Sequence, residues 1–181
     1  MLTLSELSID RGGIIMKIDL SIPLEEGKII QVCEVTWDAQ AKIEKLWKSF
    51  GIGPWAVYYL TPPDLYDHYY RGVKVENAGF LCASAKSGGI HYEISQPLFG
   101  LEVRREFLEK KGPGLHHVKI YYKDIEKAKA FYKSSGIYVL EEGKFRDDHW
   151  VFFDTEREHN VIWEISNFGD GGEPARIYPG Q

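Results

Sequence analysis

Cysteine is scarce in this chain. Two among 181 residues, Cys33 and Cys82, imply no disulfide framework, and a reducing interior is the expected setting. A basic surplus is missing as well: 22 Lys and Arg against 27 Asp and Glu leave a net charge of −5. Such a surface has no excess cation to displace counterions, so a nucleic-acid partner is not expected, nor is an anionic membrane. No window approaches about 18 consecutive apolar residues, and the first residues (MLTLSELSIDRGG) carry no cationic stretch followed by an apolar run. A cytoplasmic protein without a membrane span is the expectation. Nucleophilic triads, zinc-finger spacings and Walker motifs are also lacking. Gly88-Gly89 reads as a hairpin turn, since no helix follows to hold a phosphate.

What is present suits a ligand-binding globular domain. Hydrophobic residues make up 44% and charged residues 27%, the balance of a folded protein. Aromatics reach 14%, including 11 Tyr and 5 Trp, favouring strands and a cavity of ligand size. The length fits one domain or two half-domains sharing a core.

The chain repeats itself. IIQVCEVTWD at 29–38 aligns with LHHVKIYYKD at 115–124, so that Gln31 meets His117, Val32 meets Val118 and Asp38 meets Asp124. KSFGI at 48–52 matches KSSGI at 133–137, and Glu93-Ile94-Ser95 matches Glu164-Ile165-Ser166. The common order of three weak matches marks a duplication. In each copy an Asp caps a helix after the first strand. The first helix carries Ala39, Ile43, Leu46, Trp47 and Phe50 on one face, and the second carries Ile125, Ala128, Phe131 and Tyr132. Three strands follow each: Trp55–Thr61, Asn77–Ala85 and Ile90–Gln96, then Tyr138–Glu141, His149–Asp154 and Val161–Ser166. The predicted fold is therefore α+β, two βαβββ modules whose strands form a curved sheet around a cup. The divisions are an N-terminal extension at 1–27, with a strand pair around Gly12-Gly13; a first module at 28–98; a connecting helix within 99–112; a second module at 113–168; and a loose Gly/Pro-rich tail at 169–181. The Tyr-rich stretch Pro62–Gly72 reads as a loop, a lid over the mouth or a dimer contact.

Alternation sorts the strand residues into two faces. Ile30, Val32, Tyr92, Ile94, Val118, Ile120, Trp163 and Ile165 belong under the helices, and Glu34 at a strand end. The other face reads Gln31, Cys33; His91, Glu93, Ser95; His117, Lys119, Tyr121; Ile162, Glu164, Ser166. A polar sheet face is ordinarily a solvated one. Here, though, the four repeat-related strands each offer a metal-ligand type: Gln31, Glu93, His117 and Glu164. Two carboxylates about 4 Å apart repel by roughly 4 kcal/mol at an effective dielectric near 20, so convergence calls for a divalent cation, a shared proton or Lys119. One imidazole, one amide and two carboxylates suit zinc, cobalt, nickel, manganese or iron. His91 shares the face of Glu93 and reads as a pocket residue orienting substrate or the metal shell, or as a plain surface histidine. Lys119 faces either a substrate carboxylate or Glu164. Tyr121 and Cys33 read as cup wall.

The paired βαβββ halves, the FLEKKGPGLHHV run at 107–118 and the ending FDTEREHNVIWEI at 153–165 resemble the vicinal oxygen chelate superfamily. That superfamily includes glyoxalase I, methylmalonyl-CoA epimerase, extradiol dioxygenases and bleomycin-resistance proteins. The resemblance covers about residues 28–168 and implies Gln31, Glu93, His117 and Glu164 as metal ligands, the set of eukaryotic-type glyoxalase I, with zinc. Within the pair His116-His117, only His117 keeps the register of Gln31, which sends His116 to the opposite face. The GPGLHHV run looks more like the epimerase, although the epimerase usually has His where Gln31 stands. The glutathione-holding positions of glyoxalase I fall on Val35, Pro97 and Pro113, which cannot bind a tripeptide carboxylate. The implied function is a metal-dependent isomerase or lyase that abstracts a proton beside a carbonyl, first an acyl-CoA epimerase with Glu164 and Glu93 as bases. Alternatives are a glyoxalase-type lyase or dioxygenase, and a non-catalytic protein that binds drug-like or aromatic molecules. His91, Lys119 and Tyr121 are the expected substrate contacts, an acyl-CoA the expected small-molecule substrate, and a homodimer the expected assembly.

Overall fold

A computed structural model describes residues 7–10, 13–16 and 18–180. The chain runs β1 (Leu7–Asp10), β2 (Gly13–Met16), β3 (Ile29–Val35), α1 (Ala39–Phe50), β4 (Trp55–Leu60), β5 (Leu65–Tyr70), β6 (Val73–Lys74), β7 (Gly79–Ser87), β8 (Ile90–Phe99), α2 (Val103–Lys111), β9 (Gly114–Tyr121), α3 (Ile125–Ser134), β10 (Val139–Phe145), β11 (Asp148–Phe153), α4 (Glu156–His159), β12 (Ile162–Ser166) and β13 (Arg176–Tyr178). β1 and β2 pair antiparallel, as expected around the two glycines; Arg11 and Gly12 between them lie outside the described residues. No helix among the described residues is long and apolar enough to cross a membrane.

Everything else joins one mixed, open sheet of eleven strands, in the order β13-β4-β7-β8-β3-β9-β12-β11-β10-β5-β6. Its centre is the antiparallel seam between β3 and β9, where Val32 lies opposite Val118. These are the residues the repeat aligns, so the seam is the axis of a pseudo-two-fold. On either side each module repeats one parallel pair, β3 with β8 and β9 with β12. Helices close the outer faces for the same local reasons in both copies. Asp38 accepts from the Ala41 N–H at 2.9 Å, and Asp124 from the Lys127 N–H at 2.9 Å, each satisfying a donor that the helix leaves open. Gly51 ends α1 with φ +66°, a left-handed backbone suited to glycine. Ala39, Ile43 and Leu46 then pack on Trp55, Val57 and Ile94, while Ile125 and Ala128 pack on Val151, Phe153 and Ile165. Phe50 and Phe131, which spacing assigned to these faces, are 72% and 62% exposed.

Two segments differ from the sequence reading. Pro62–Gly72 is not a loop: it contains β5, which pairs with β10 of the other module. Because β4 and β5 are joined by residues 61–64 alone, a reach of at most about 18 Å, the sheet must curl until its two edges nearly meet. Leu60, Leu65, Phe80, Leu140, Phe145, Trp150 and Phe152 accordingly form one buried cluster inside the curl. The tail is not wholly loose either, since Arg176–Tyr178 adds β13 to the edge of β4. Glu34 lies within β3 and accepts from Lys42 Nζ at 2.5 Å, between sheet and α1.

Candidate active site and metal centre

Register alone lays out the cup floor. Across the seam Gln31 pairs with Lys119 and Cys33 with His117. The parallel neighbours put His91 beside Gln31 and Glu93 beside Cys33, and Ile162 beside His117 and Glu164 beside Lys119. Paired residues share a face, so two rows cross the floor: Glu93–Cys33–His117–Ile162 and His91–Gln31–Lys119–Glu164. Every one of these side chains is buried. The polar face is therefore the inside of the curl rather than a wet surface.

The four residues singled out as metal ligands come together at His117. Its Nε2 lies 3.1 Å from Glu164 Oε2, 3.8 Å from Glu93 Oε1 and 3.5 Å from Gln31 Nε2. Lys119 Nζ lies 3.2 Å from Glu164 Oε1. Cys33 belongs with them: its sulfur, a Glu93 oxygen and a His117 nitrogen are all within 4.8 Å of one another. Burial lowers the His117 pKa well below the usual range, so its imidazole is neutral with a lone pair to give. Burial raises the Glu164 carboxyl above the ordinary glutamate value, with Lys119 acting against the rise. For Lys119 itself, burial would depress the pKa, but Glu164, Asp148 and Glu93 outweigh it and hold the ammonium above the normal lysine range. Glu164 Oε2 is buried with no hydrogen-bond partner. An orphaned carboxylate oxygen, a neutral imidazole, a second carboxylate and a thiol make a donor set that fits a divalent transition ion, and Cys33, Glu93 and His117 could hold one.

His116 does not go to the opposite face. Cys33 pairs with His117 but the next residue, Glu34, pairs with Leu115, so His116 is the extra residue of a β-bulge, which re-aims its side chain. Both histidines are buried, and His116 Nδ1 lies 2.8 Å from His117 Nδ1. One of these nitrogens must donate and the other accept. A His117 whose Nδ1 is used in this contact keeps Nε2 for the cup. His91 is similarly engaged, its Nε2 donating to Leu20 O at 2.7 Å and its Nδ1 lying 3.1 Å from Ser84 Oγ. It lines the cavity while tying down the segment before β3. Tyr121 does not line the cavity; it is only half-buried at the end of β9.

The cavity above this floor measures about 380 Å³. Sequence reasoning missed three of its features. Leu20 and Ser21 from the N-terminal side and Phe168–Gly172 from the tail form part of its wall. The tail is stapled to the β10–β11 turn: Gly169 N donates to Asp148 Oδ1 at 3.2 Å and Arg146 Nη1 to Gly171 O at 3.1 Å. Another wall residue is Arg104, buried at the start of α2, its guanidinium 3.7 Å above the Phe80 ring. Arg104 Nη1 donates to Glu102 Oε2 at 3.0 Å and to Glu141 Oε1 at 3.5 Å. Glu141 in turn accepts from the Val103 N–H at 2.6 Å, and His68 of β5 lies 3.3 Å away. α2 reads as a charged connector in sequence. The one available signal was Glu102, an acidic residue placed to cap the helix whose first turn holds Arg104.

Comparison with known proteins agrees with this architecture. Solved structures of similar fold include a hypothetical protein of Bacillus halodurans (17% identical, TM-score 0.61, covering 81% of this chain and 97% of the other). Methylmalonyl-CoA epimerase of Streptomyces coelicolor, determined with 2-nitronate-propionyl-CoA, is 17% identical with a TM-score of 0.56, over 78% and 94% of the two chains. The Mycobacterium tuberculosis methylmalonyl-CoA epimerase is 17% identical at TM-score 0.56, over 82% and 88%. Identity at this level shows a shared fold. No curated protein sequence matches. The sequence model of one family matches residues 12–153, most of the chain, and with the duplicated modules this places the protein in the glyoxalase/bleomycin resistance protein/dioxygenase superfamily.

Proposed function

We propose that this protein is a metal-dependent enzyme that removes a proton from a carbon beside a carbonyl, and that its reaction is epimerisation of a 2-substituted acyl-CoA. The observation that carries this reading is the state of Glu164. Lys119 fixes one carboxylate oxygen at 3.2 Å, while the other is buried with no hydrogen-bond partner, 3.1 Å from His117 Nε2, and Glu164 is one of the residues lining the cavity. A carboxylate held at one oxygen and lacking a hydrogen-bond donor at the other has a lone pair with which to accept a proton. Burial makes it a stronger base than an exposed glutamate, and Lys119 acts against that rise.

His117, Glu93 and Gln31 would hold the divalent ion. When bound, that ion supplies polarisation of the carbonyl and stabilises the negative charge that develops as the proton leaves. Glu93 is the pseudo-symmetric partner of Glu164, on the other side of the seam. That placement supports its returning the proton to the opposite face of the substrate, which inverts the centre. The cavity's 380 Å³ suits a small acyl group, and the Streptomyces neighbour's acyl-CoA complex supports the thioester class.

One feature favours a second reading, a metal-free binding protein. The Lys119 ammonium already offsets the charge of Glu164. Metal analysis of protein purified without chelator, followed by deuterium exchange against a panel of racemic 2-substituted acyl-CoA thioesters, separates the two. The expected result is about one transition metal per chain and exchange without net conversion. No exchange on any thioester overturns the epimerase reading, and absence of metal as well supports the binder.

A further inference from the structure

We propose that Cys33 is a thiolate ligand of the divalent ion, and that Lys119 holds Glu164 out of the ligand set. This rests on the reading that the cup binds a metal, and it assigns the ion to one of the two floor rows, the one that runs Glu93–Cys33–His117 across the seam.

The floor rows carry the argument. Cys33, Glu93 and His117 are consecutive in one row, whereas Glu164 stands in the other beside Lys119. Donor atoms of the first three lie within 4.8 Å of one another. Around a tetrahedral ion with bonds of about 2.3 Å to sulfur and about 2.0–2.1 Å to nitrogen, the two donors sit roughly 3.6 Å apart. The trio therefore closes around an ion with side-chain shifts of about 1 Å. Glu164 stands outside the trio, close to His117 alone, at 3.1 Å. Its Oε1 is bound by the Lys119 ammonium, and a dication drawn onto the same carboxylate would be brought against that ammonium. On the Cys33 side Glu93 has no direct ion pair with a lysine or arginine among the described residues, and the buried Arg104 acts there only from longer range. Gln31, whose amide nitrogen lies 3.5 Å from His117 Nε2, supplies the fourth donor through its carbonyl oxygen once the amide turns over.

The Cys33 S–H, which now donates to the Glu34 carbonyl at 3.3 Å, is broken on binding. Its proton passes to solvent and a sulfur–metal bond forms, with no change of oxidation state. A thiolate among the ligands selects zinc or cobalt over manganese or magnesium. It leaves Glu164 with no ligand duty to compete with proton transfer.

Cobalt(II) titration of the metal-free protein tests this, because a cobalt–thiolate bond adds an intense near-ultraviolet absorption that oxygen and nitrogen ligands do not give. The wild type is expected to take up one cobalt per chain and show the band. Cys33→Ser is expected to lose the band and bind cobalt at least tenfold more weakly, and Glu164→Gln to keep both band and affinity. Cobalt bound to the wild type without the band overturns the ligand assignment, whether or not Cys33→Ser folds. So does loss of cobalt from Glu164→Gln with retention by Cys33→Ser. No cobalt uptake at all sinks the metal-enzyme reading along with it.

Discussion

The two modules deliver equivalent strands to the cup but unequal chemistry. Each brings a glutamate, Glu93 or Glu164, at the same place in its last strand. The neighbour of Glu93 across the parallel pair is the neutral Cys33, and the neighbour of Glu164 is the charged Lys119. The seam residues differ as well, an amide at Gln31 against an imidazole at His117. Duplication by itself gives two identical half-sites facing each other, which suits a symmetric cage. Breaking the symmetry at these positions leaves Glu93 without a direct lysine or arginine ion pair among the described residues, while Glu164 is paired with Lys119, which is the basis for assigning the metal to the first and proton transfer to the second. The proposed division of labour between identical side chains rests on what stands beside each.

The largest effects should come from the two glutamates, and they should differ in kind. Glu93→Gln is expected to lose both metal content and turnover. Glu164→Gln is expected to lose turnover by roughly 10²–10⁴-fold, the usual worth of a general base, while its metal content, read by elemental analysis, stays at the wild-type level. If both variants lose metal equally, the modules are not specialised as described.

Next comes the device that joins the modules at the inner end of the cup. Arg104 balances Glu102 and Glu141, all buried. Arg104→Met would strand two carboxylates in a dry environment, and a loss of about 3–5 kcal/mol is expected, measurable by urea unfolding. The exposed pair between Arg71 and Glu106 (2.9 Å) is the contrasting case, and Arg71→Ala should cost under about 1 kcal/mol.

Lys119→Met sharpens the comparison by making the second module as uncharged as the first. Removing the ammonium removes the interaction that opposes the rise of the Glu164 pKa. The carboxylate then stays protonated to higher pH, so the acid limb of the kcat/KM profile should move upward. Metal affinity should rise about tenfold by equilibrium titration, as a nearby positive charge is gone. An acid limb that stays put would mean Glu164 is not the group it reports.

Much of the fold, and the face on which the candidate site lies, was legible in the sequence. The repeat aligns Val32 with Val118, the residues on the pseudo-two-fold, and Asp38 and Asp124 cap their helices as their sequence positions imply. Period-two alternation put Gln31, Glu93, His117, Lys119 and Glu164 on one face, because neighbours in register share a side. What escaped is where alternation fails. β5 carries Asp67 at φ +46° and a register shift against β10, so the Leu65–Tyr70 stretch has no clean two-residue period and reads as loop. The bulge at His116 has no sequence mark, and it reverses the expected direction of that side chain. β13 is three residues among glycines and prolines, and its pairing is long-range. Arg104 looks like one of several solvated charges in α2 until the curl of the sheet encloses it.

The most direct test follows deuterium at the substrate's second carbon by proton NMR, with metal-loaded wild type in D2O and a racemic 2-substituted acyl-CoA, beside Glu164→Gln under the same conditions. Incorporation by the wild type, slowed at least about 100-fold in the variant, is the outcome expected of an asymmetric cup in which Glu164 is the base that removes the proton. Incorporation at equal rates in both proteins, or in neither, would contradict it.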